Sequence, residues 1–280
     1  MEIEGKRVLV TGASSGIGWE TATAFGKAGA EVVAVARRAE RLARLEGAAE
    51  IIPADLSEPG AAARVADQAG DIDILVNNAG SEAAGSVWAV GDRPEARRMF
   101  EVDWWTPLAL MSALVPGMRE RGEGAVVNVT SIRQVLAWPS LGHSAAAKAA
   151  LSQLTETLRL ELLDTGINVI EVIPGPVDTP ALGASRLLTG FVERLDETFG
   201  TGTASELAAQ ILHAVQAAQS RIYYPPKVEQ AAQLPTDLRN LVTDWVRQTE
   251  PLPDEVLDTL VVGPGHPLVA EAKATWENTR

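Results

Sequence analysis

The chain has 280 residues, 46% of them hydrophobic, enough for one large core. Its net charge of −13 and pI near 4.8 argue against partners that need a basic surface, nucleic acid and anionic membrane among them. It contains no cysteine, which excludes disulfides, thiolate metal sites and a thiol nucleophile, and no metal site is expected.

Strand-like runs are expected at Arg7–Thr11, Glu31–Ala36, Glu50–Ala54, Ile72–Asn77, Ala125–Val129 and Asn168–Ile173. Helical stretches separate them, such as Gly18–Ala28 and Ala145–Leu163; in the second, Leu151, Leu154, Leu158 and Leu162 fall on one face. Alternating strands and helices, with near-continuous apolar strands, predict a parallel sheet covered on both sides: a Rossmann-like, doubly wound α/β fold in a single domain. After Pro180 the pattern changes. Ala181–Phe199 reads as one or two short helices, in the place of a substrate lid at about 181–203. Ser205–Ala218 is a further helix, and Arg221–Tyr224 a last strand stopped by Pro225 and Pro226. Residues 1–227 form the expected domain. Residues 228–280, with nine acidic and four basic side chains, form a helical C-terminal extension packed on it. No apolar run approaches the ~18 residues of a membrane span. Met1–Lys6 is short and mixed in charge, unlike a signal peptide, so a cytoplasmic protein without a membrane partner is expected.

The sharpest motif follows the first strand and opens the first helix: Thr11-Gly12-Ala13-Ser14-Ser15-Gly16-Ile17-Gly18. Its three glycines let the chain turn tightly and bring backbone N–H groups to a pyrophosphate, and the helix N-terminus adds a dipole that favours the anion. The spacing T-G-x-x-x-G-x-G departs from the general G-x-G-x-x-G fingerprint and resembles the short-chain dehydrogenase/reductase family. That resemblance continues through Ala54-Asp55-Leu56, Asn77-Asn78-Ala79-Gly80 and Pro174-Gly175-Pro176-Val177-Asp178-Thr179-Pro180, and covers about residues 5–225. It implies a dinucleotide site built from Gly12, Ser14, Ser15, Gly16, Ile17 and Gly18. Asp55 and Leu56 would lie at the adenine, Asn78, Ala79 and Gly80 along the cofactor, and Pro174, Gly175, Val177 and Thr179 beside the nicotinamide. At the end of the second strand Arg37 and Arg38 stand without an acidic neighbour. They read either as solvated residues at the start of a helix or as partners of a 2′-phosphate, and the second reading favours NADP(H) over NAD(H). Ser15 weighs slightly against this, since many NADP-binding relatives carry a basic residue at its position.

The resemblance also implies four catalytic positions: a tyrosine that transfers the proton, a lysine four residues later, a serine thirteen residues before the tyrosine, and an asparagine on an earlier helix. Lys148 and Ser131 match. The tyrosine position holds Ser144 and the asparagine position Asp103. A serine hydroxyl is far less acidic than a phenol near 10 and is shorter by a ring. His143, an imidazole able to carry a proton, is adjacent, but one residue on a helix turns it by about 100°. It reads either as a substitute base or as a structural histidine. Asp103 reads either as a partner of Lys148 or as a residue whose backbone alone matters. Trp88, Trp104 and Trp138 read either as an aromatic substrate pocket or as ordinary packing.

The leading expectation is an NADP(H)-dependent oxidoreductase acting on a carbonyl or alcohol of a bulky apolar small molecule. Its proton relay would be atypical, running through water, Ser131, Asp103 or His143. The alternatives are a redox-neutral enzyme on this scaffold (cyclase, isomerase, lyase or dehydratase) and a non-catalytic NADP(H)-binding protein. Relatives pair through helices corresponding to about Arg97–Arg119 and Ala145–Leu163, which implies a homodimer or homotetramer.

Overall fold

Seven strands, rich in Val, Ile, Leu and Ala, form one parallel sheet in the computed structural model, which describes residues 1–182, 191–233, 235–248, 254–263 and 266–278. They are β1 (Arg7–Thr11), β2 (Glu31–Ala36), β3 (Ala48–Pro53), β4 (Ile74–Asn77), β5 (Gly124–Val129), β6 (Ile167–Pro174) and, last in the chain, Arg221–Tyr224. In space the order is β3-β2-β1-β4-β5-β6 and then Arg221–Tyr224, with every pair parallel. The order reverses beside β1, the switch point where ligands bind outside the carboxyl ends of the strands. The predicted strands are all present. Their ends differ from expectation by two residues at most, the span over which fraying ends shift.

Continuous apolar strands bury both faces, so the core has two layers. One joins β1, β2 and β4 to Phe25 of α1 (Gly16–Lys27) and to Leu207 and Ile211 of the helix Ala204–Ala217. The other joins Leu9, Val33 and Leu75 to α3 (Ala61–Ala69), α6 (Thr106–Arg121) and α7 (Gly142–Glu161). Leu151 and Leu162 are buried in that second layer and Leu154 and Leu158 pack against it, as their shared helical face requires.

Beyond Pro174 a short parallel pair absent from the sequence reading forms, β7 (Val177–Asp178) with β8 (Gly202–Thr203). Of the expected lid, Phe191–Phe199 is the helix α8 and residues 183–190 lie outside the described residues. With Ala204–Ala217 as α9 and Arg221–Tyr224 as β9, the chain ends in α10 (Val228–Gln233), α11 (Pro235–Gln248), α12 (Asp254–Thr259) and α13 (Pro267–Asn278). Among the described residues, the contacts that tie this segment to the sheet domain include the following. Trp245 packs on Trp138 with ring centroids 6.1 Å apart. Val262 pairs with Ala84 through two backbone hydrogen bonds of 2.8 Å. The indole N–H of Trp88 donates to Asp258 at 2.7 Å. No described helix is long and apolar enough to cross a membrane.

Candidate active site

Thr11, at the end of β1, holds the glycine-rich turn against the loop that follows β4. Its hydroxyl donates to the Val76 carbonyl (3.2 Å) and accepts from the N–H groups of Asn78 and Ala79, both at 3.0 Å. The Asn78 amide returns a bond to the Thr11 carbonyl at 2.9 Å. This latch leaves no room for side chains at two glycines. A Cβ on Gly12, whose φ is +71°, would lie 2.8 Å from Asn78 Nδ2; one on Gly18 would lie 2.5 Å from the Gly12 carbonyl oxygen. The first-turn N–H groups of Gly16, Ile17 and Gly18 have no acceptor within the helix, and their dipole favours an anion there. Thr179 closes the far side: its methyl lies 3.1 Å from where a Gly16 Cβ would be. Its hydroxyl donates to Val177 O at 3.1 Å. Pro174 is in register with Tyr224, and Gly175 N–H donates to the Tyr224 carbonyl at 2.6 Å.

The two arginines after β2 part company. Arg38 caps α2 (Ala39–Leu42) and lays its Nη2 on the hydroxyls of Ser14 (3.1 Å) and Ser15 (3.4 Å). Arg37 is exposed and acts on Asp55. Burial would raise the Asp55 carboxyl, but hydrogen bonds from Ser57 outweigh it, with Arg37 and Arg98 adding to them, so Asp55 titrates below the usual carboxylate range. Leu56 is buried, and its carbonyl accepts from Thr106. A cavity of about 590 Å³ opens against the turn, with Ser14, Ser15, Gly16, Arg41 and Arg44 in its wall.

At the carboxyl end of β5 the chain turns through Ser131, whose hydroxyl accepts from Arg133 N–H at 3.2 Å and caps the 3-10 turn Ile132–Gln134. Ser144 and Lys148 lie one helical turn apart on α7 and share its inner face. Lys148 Nζ donates to the Val129 carbonyl (3.1 Å) and pairs with Asp103 Oδ1 (3.0 Å). Asp103 lies in a π-turn, Glu101–Trp105, between α5 (Pro94–Phe100) and α6, and its Oδ2 accepts from Ser81 N–H at 2.8 Å. Such turns are rare and concentrate at functional sites. Asp103 is 2% exposed. Burial pushes its carboxyl above the ordinary range; Lys148 and the Ser81 N–H offset this only in part, and Glu82 adds to the push.

Ser144 is 3% exposed, and its hydroxyl accepts from Arg133 Nη1 at 3.3 Å. The same Nη1 pairs with the Glu82 carboxylate. The structure thus brings Ser131, Ser144, Lys148 and Asp103 together and adds two residues that sequence reasoning missed, Arg133 and Glu82. Their signal was position: Glu82 follows Gly80 by two residues and Arg133 follows Ser131 by two.

His143 does not join this group. Its Nε2 is 2.8 Å from the Gly91 carbonyl, and it makes no hydrogen bond with Ser144, Lys148 or Asp103 among the described residues. One residue of helix turns it off their face. The three tryptophans do not converge either. Trp88 is 67% exposed and bound to Asp258. Trp104 packs on the second core layer, edge-on to Trp105. Trp138 is buried against Trp245. Among the described residues, Trp88 and Trp138 thus meet the C-terminal segment and Trp104 the second core layer.

A doubly wound parallel sheet with a glycine-rich turn at its switch point defines a dinucleotide-binding architecture. The chain belongs to the short chain dehydrogenase family, whose profile matches residues 6–187. It is 35% identical over 254 residues to a short chain dehydrogenase of Pseudocercospora fijiensis, an alignment covering 85% of this chain and 74% of that one. It is 35% identical over 204 residues to an uncharacterized oxidoreductase of Mycobacterium bovis, covering 68% of this chain and 60% of that protein. Among solved structures it resembles a short chain dehydrogenase from Burkholderia cenocepacia in complex with NADP, with a TM-score of 0.72, 31% identity and coverage of 90% and 100%. It also resembles L-sorbose reductase from Gluconobacter frateurii, complexed with NADPH and L-sorbose, with a TM-score of 0.71, 27% identity and coverage of 80% and 97%.

Proposed function

We propose that this chain is an NADP(H)-dependent oxidoreductase acting on a carbonyl or alcohol of a small molecule. The observation that carries the reading is the Arg38 guanidinium lying across the hydroxyls of Ser14 and Ser15 beside a turn that admits no side chain at Gly12 or Gly18. Family membership and the NADP-bound and NADPH-bound neighbours support it. When bound, the cofactor supplies hydride chemistry at its nicotinamide. The rest is the work of this chain. Gly12, Gly16 and Gly18 let the backbone approach the pyrophosphate, Arg38 with Ser14 and Ser15 takes the 2′-phosphate, and Asp55 and Leu56 border the adenine. Lys148 holds the nicotinamide ribose and keeps Asp103 paired. Pro174, Gly175, Val177 and Thr179 line the nicotinamide side. Ser131 donates to the substrate oxygen.

Proton transfer follows an unusual route in this reading, because Ser144 stands where the family's tyrosine is expected. The chain's two tyrosines, Tyr223 and Tyr224, both lie in β9 and neither occupies the position of Ser144. The Tyr224 hydroxyl is already bound to Glu206 at 2.5 Å and to Thr203 N–H at 2.8 Å. With the tryptophans dispersed and two ion pairs at the site, the reacting end of the substrate is polar. Exposed Leu160 and Leu163 at the end of α7 support a homodimer or homotetramer, and a cytoplasmic location fits the absence of cysteine.

The direct test mixes the protein with NADPH and ketones, or NADP⁺ and alcohols, and follows absorbance at the nicotinamide band; tight binding without any change in absorbance would defeat the reading. Substrate conversion at constant absorbance would favour a redox-neutral enzyme. One observation keeps that second reading in play: the Asp103 carboxyl, raised by burial and placed beside Lys148, could exchange protons without hydride transfer. For the cofactor, Arg38→Ala is expected to weaken NADPH binding by roughly 10- to 100-fold, the loss of one charge-assisted contact, and to leave NADH binding within a few-fold. Fluorescence titration of both nucleotides measures this, and an equal loss for the two would remove Arg38 from the 2′-phosphate.

A further inference from the structure

We propose that the Arg133–Glu82 pair performs the task the family assigns to tyrosine: Arg133 donates to the reacting oxygen of the substrate, and Glu82 exchanges that oxygen's proton. The proposal rests on the oxidoreductase reading above and names the groups that make it work.

The Arg133 side chain reaches the Ser144 hydroxyl at 3.3 Å, while its backbone N–H donates to Ser131 Oγ at 3.2 Å. One residue therefore spans the two hydroxyl positions between which a substrate oxygen would be held. Serine at 144 is shorter than tyrosine by a phenol ring, and the Arg133 guanidinium lies against its hydroxyl. Its planar fork carries five donors, so it can stabilise negative charge on oxygen in either direction of reaction. A guanidinium does not take up a proton, however, so a separate group must.

The other candidates at the site are accounted for. Lys148 is engaged with Asp103 and Val129 O, and His143 is turned to Gly91. Two carboxylates lie at the site, Glu82 paired with Arg133 and Asp103 paired with Lys148, and solvent access decides between them. The Asp103 side chain is 2% exposed and bridges Lys148 and Ser81, whereas that of Glu82 is 24% exposed and can pass a proton on to water. Ser144 acts through Arg133 and is a positioning residue.

In the direction of alcohol oxidation, the hydroxyl proton of the substrate moves to a Glu82 carboxylate oxygen and the O–H pair becomes the second bond of the carbonyl. The carbinol C–H bond gives up its electron pair as hydride, which a bound oxidised nicotinamide dinucleotide would accept; the alcohol is oxidised and the dinucleotide would be reduced. Glu82 then releases its proton to water. Carbonyl reduction is the same sequence reversed.

The test uses the full chain with a panel of ketones headed by acetophenone and NADPH, and the matching alcohols headed by 1-phenylethanol and NADP⁺. Glu82→Gln keeps shape and hydrogen bonding but cannot exchange the proton. It is expected to lower kcat about 100-fold or more. KM should stay within a few-fold and NADPH affinity, read by fluorescence, should be unchanged. The acid limb of the kcat profile for alcohol oxidation should flatten. Among the described residues, the charged groups that face Glu82 include Arg133 on the 3-10 turn, Asp103 on the π-turn and, through Asp103, Lys148 on α7. Glu82→Asp, which keeps the charge, should recover part of the rate, and Arg133→Met should lower kcat and raise KM together. A wild-type rate and pH profile in Glu82→Gln would overturn the proposal while leaving the oxidoreductase reading intact. A wild-type protein that binds NADPH yet transfers hydride to or from no member of the panel overturns both.

Discussion

Lys148→Met is expected to destabilise the folded protein by about 3–5 kcal/mol, the usual cost of stranding one member of a buried ion pair. The ammonium that would be lost is 12% exposed, and the carboxylate it leaves behind, Asp103, is 2% exposed. Asp103 would keep the Ser81 N–H and still face the negative charge of Glu82. Its carboxyl already titrates above the ordinary range because burial outweighs Lys148; without Lys148 it moves higher still. A carboxyl raised in the folded state contributes its full stability below the unfolded-state pKa and loses it as pH rises through the folded one. The deficit of Lys148→Met relative to the wild type should therefore be small in acid and grow toward neutral and alkaline pH. Urea unfolding at about pH 5 and pH 8 measures both quantities. The double variant Lys148→Met/Asp103→Asn removes the stranded charge and should recover most of the loss. If the single and double variants unfold together at pH 8, the pair does not hold this part of the structure.

The features that followed from local pattern were legible before any coordinates. β1, β2 and β9 have the ends their apolar runs mark, and the four leucines of α7 lie on the face their spacing defines. The glycine-rich turn was legible for a similar reason, because a strand, three glycines and a helix follow one another directly. What escaped depends on which distant segments meet. β7 and β8 are two residues each, too short for any periodicity, and pair although the chain runs from residue 178 to 202 between them. The tryptophans could be assigned no neighbours from sequence, and two of the three went to the C-terminal helices. Arg133 and Glu82 are 51 residues apart and carry no motif of their own. Asp103 was seen as a departure from a pattern, but its burial and its bond to Ser81 came only from the way the π-turn carries it beneath the loop after β4.

Gly18→Ala should lower stability by about 1–3 kcal/mol, the range for overpacking a tight site. It should also weaken NADPH binding by about tenfold or more, equivalent to at least ~1.4 kcal/mol. The added methyl would lie 2.4 Å from Asn78 Nδ2 and 2.5 Å from the Gly12 carbonyl oxygen. Neither atom can retreat alone. Moving the Asn78 amide breaks its 2.9 Å bond to the Thr11 carbonyl and loosens the latch between the turn and the loop after β4. Moving Gly12 displaces a residue at φ +71° that is itself pressed against Asn78 and Ala79. If the helix moves instead, its first-turn N–H groups leave the place where the pyrophosphate would be held. Alanine is better than glycine inside a helix by about 0.8–1.0 kcal/mol, so propensity alone would make this substitution stabilising. The expected loss must therefore come from the contact. Gly26→Ala, in the last turn of the same helix, supplies the contrast: its methyl would meet the Gly47 carbonyl oxygen at 3.3 Å, a few tenths of an ångström tight, and lies far from the turn. It should leave stability within about 1 kcal/mol of wild type, since its small crowding is offset by helix propensity, and leave NADPH binding unaltered. Thermal unfolding and fluorescence titration of both variants decide the matter, and equal behaviour of the two would show that the turn tolerates a side chain at Gly18 after all.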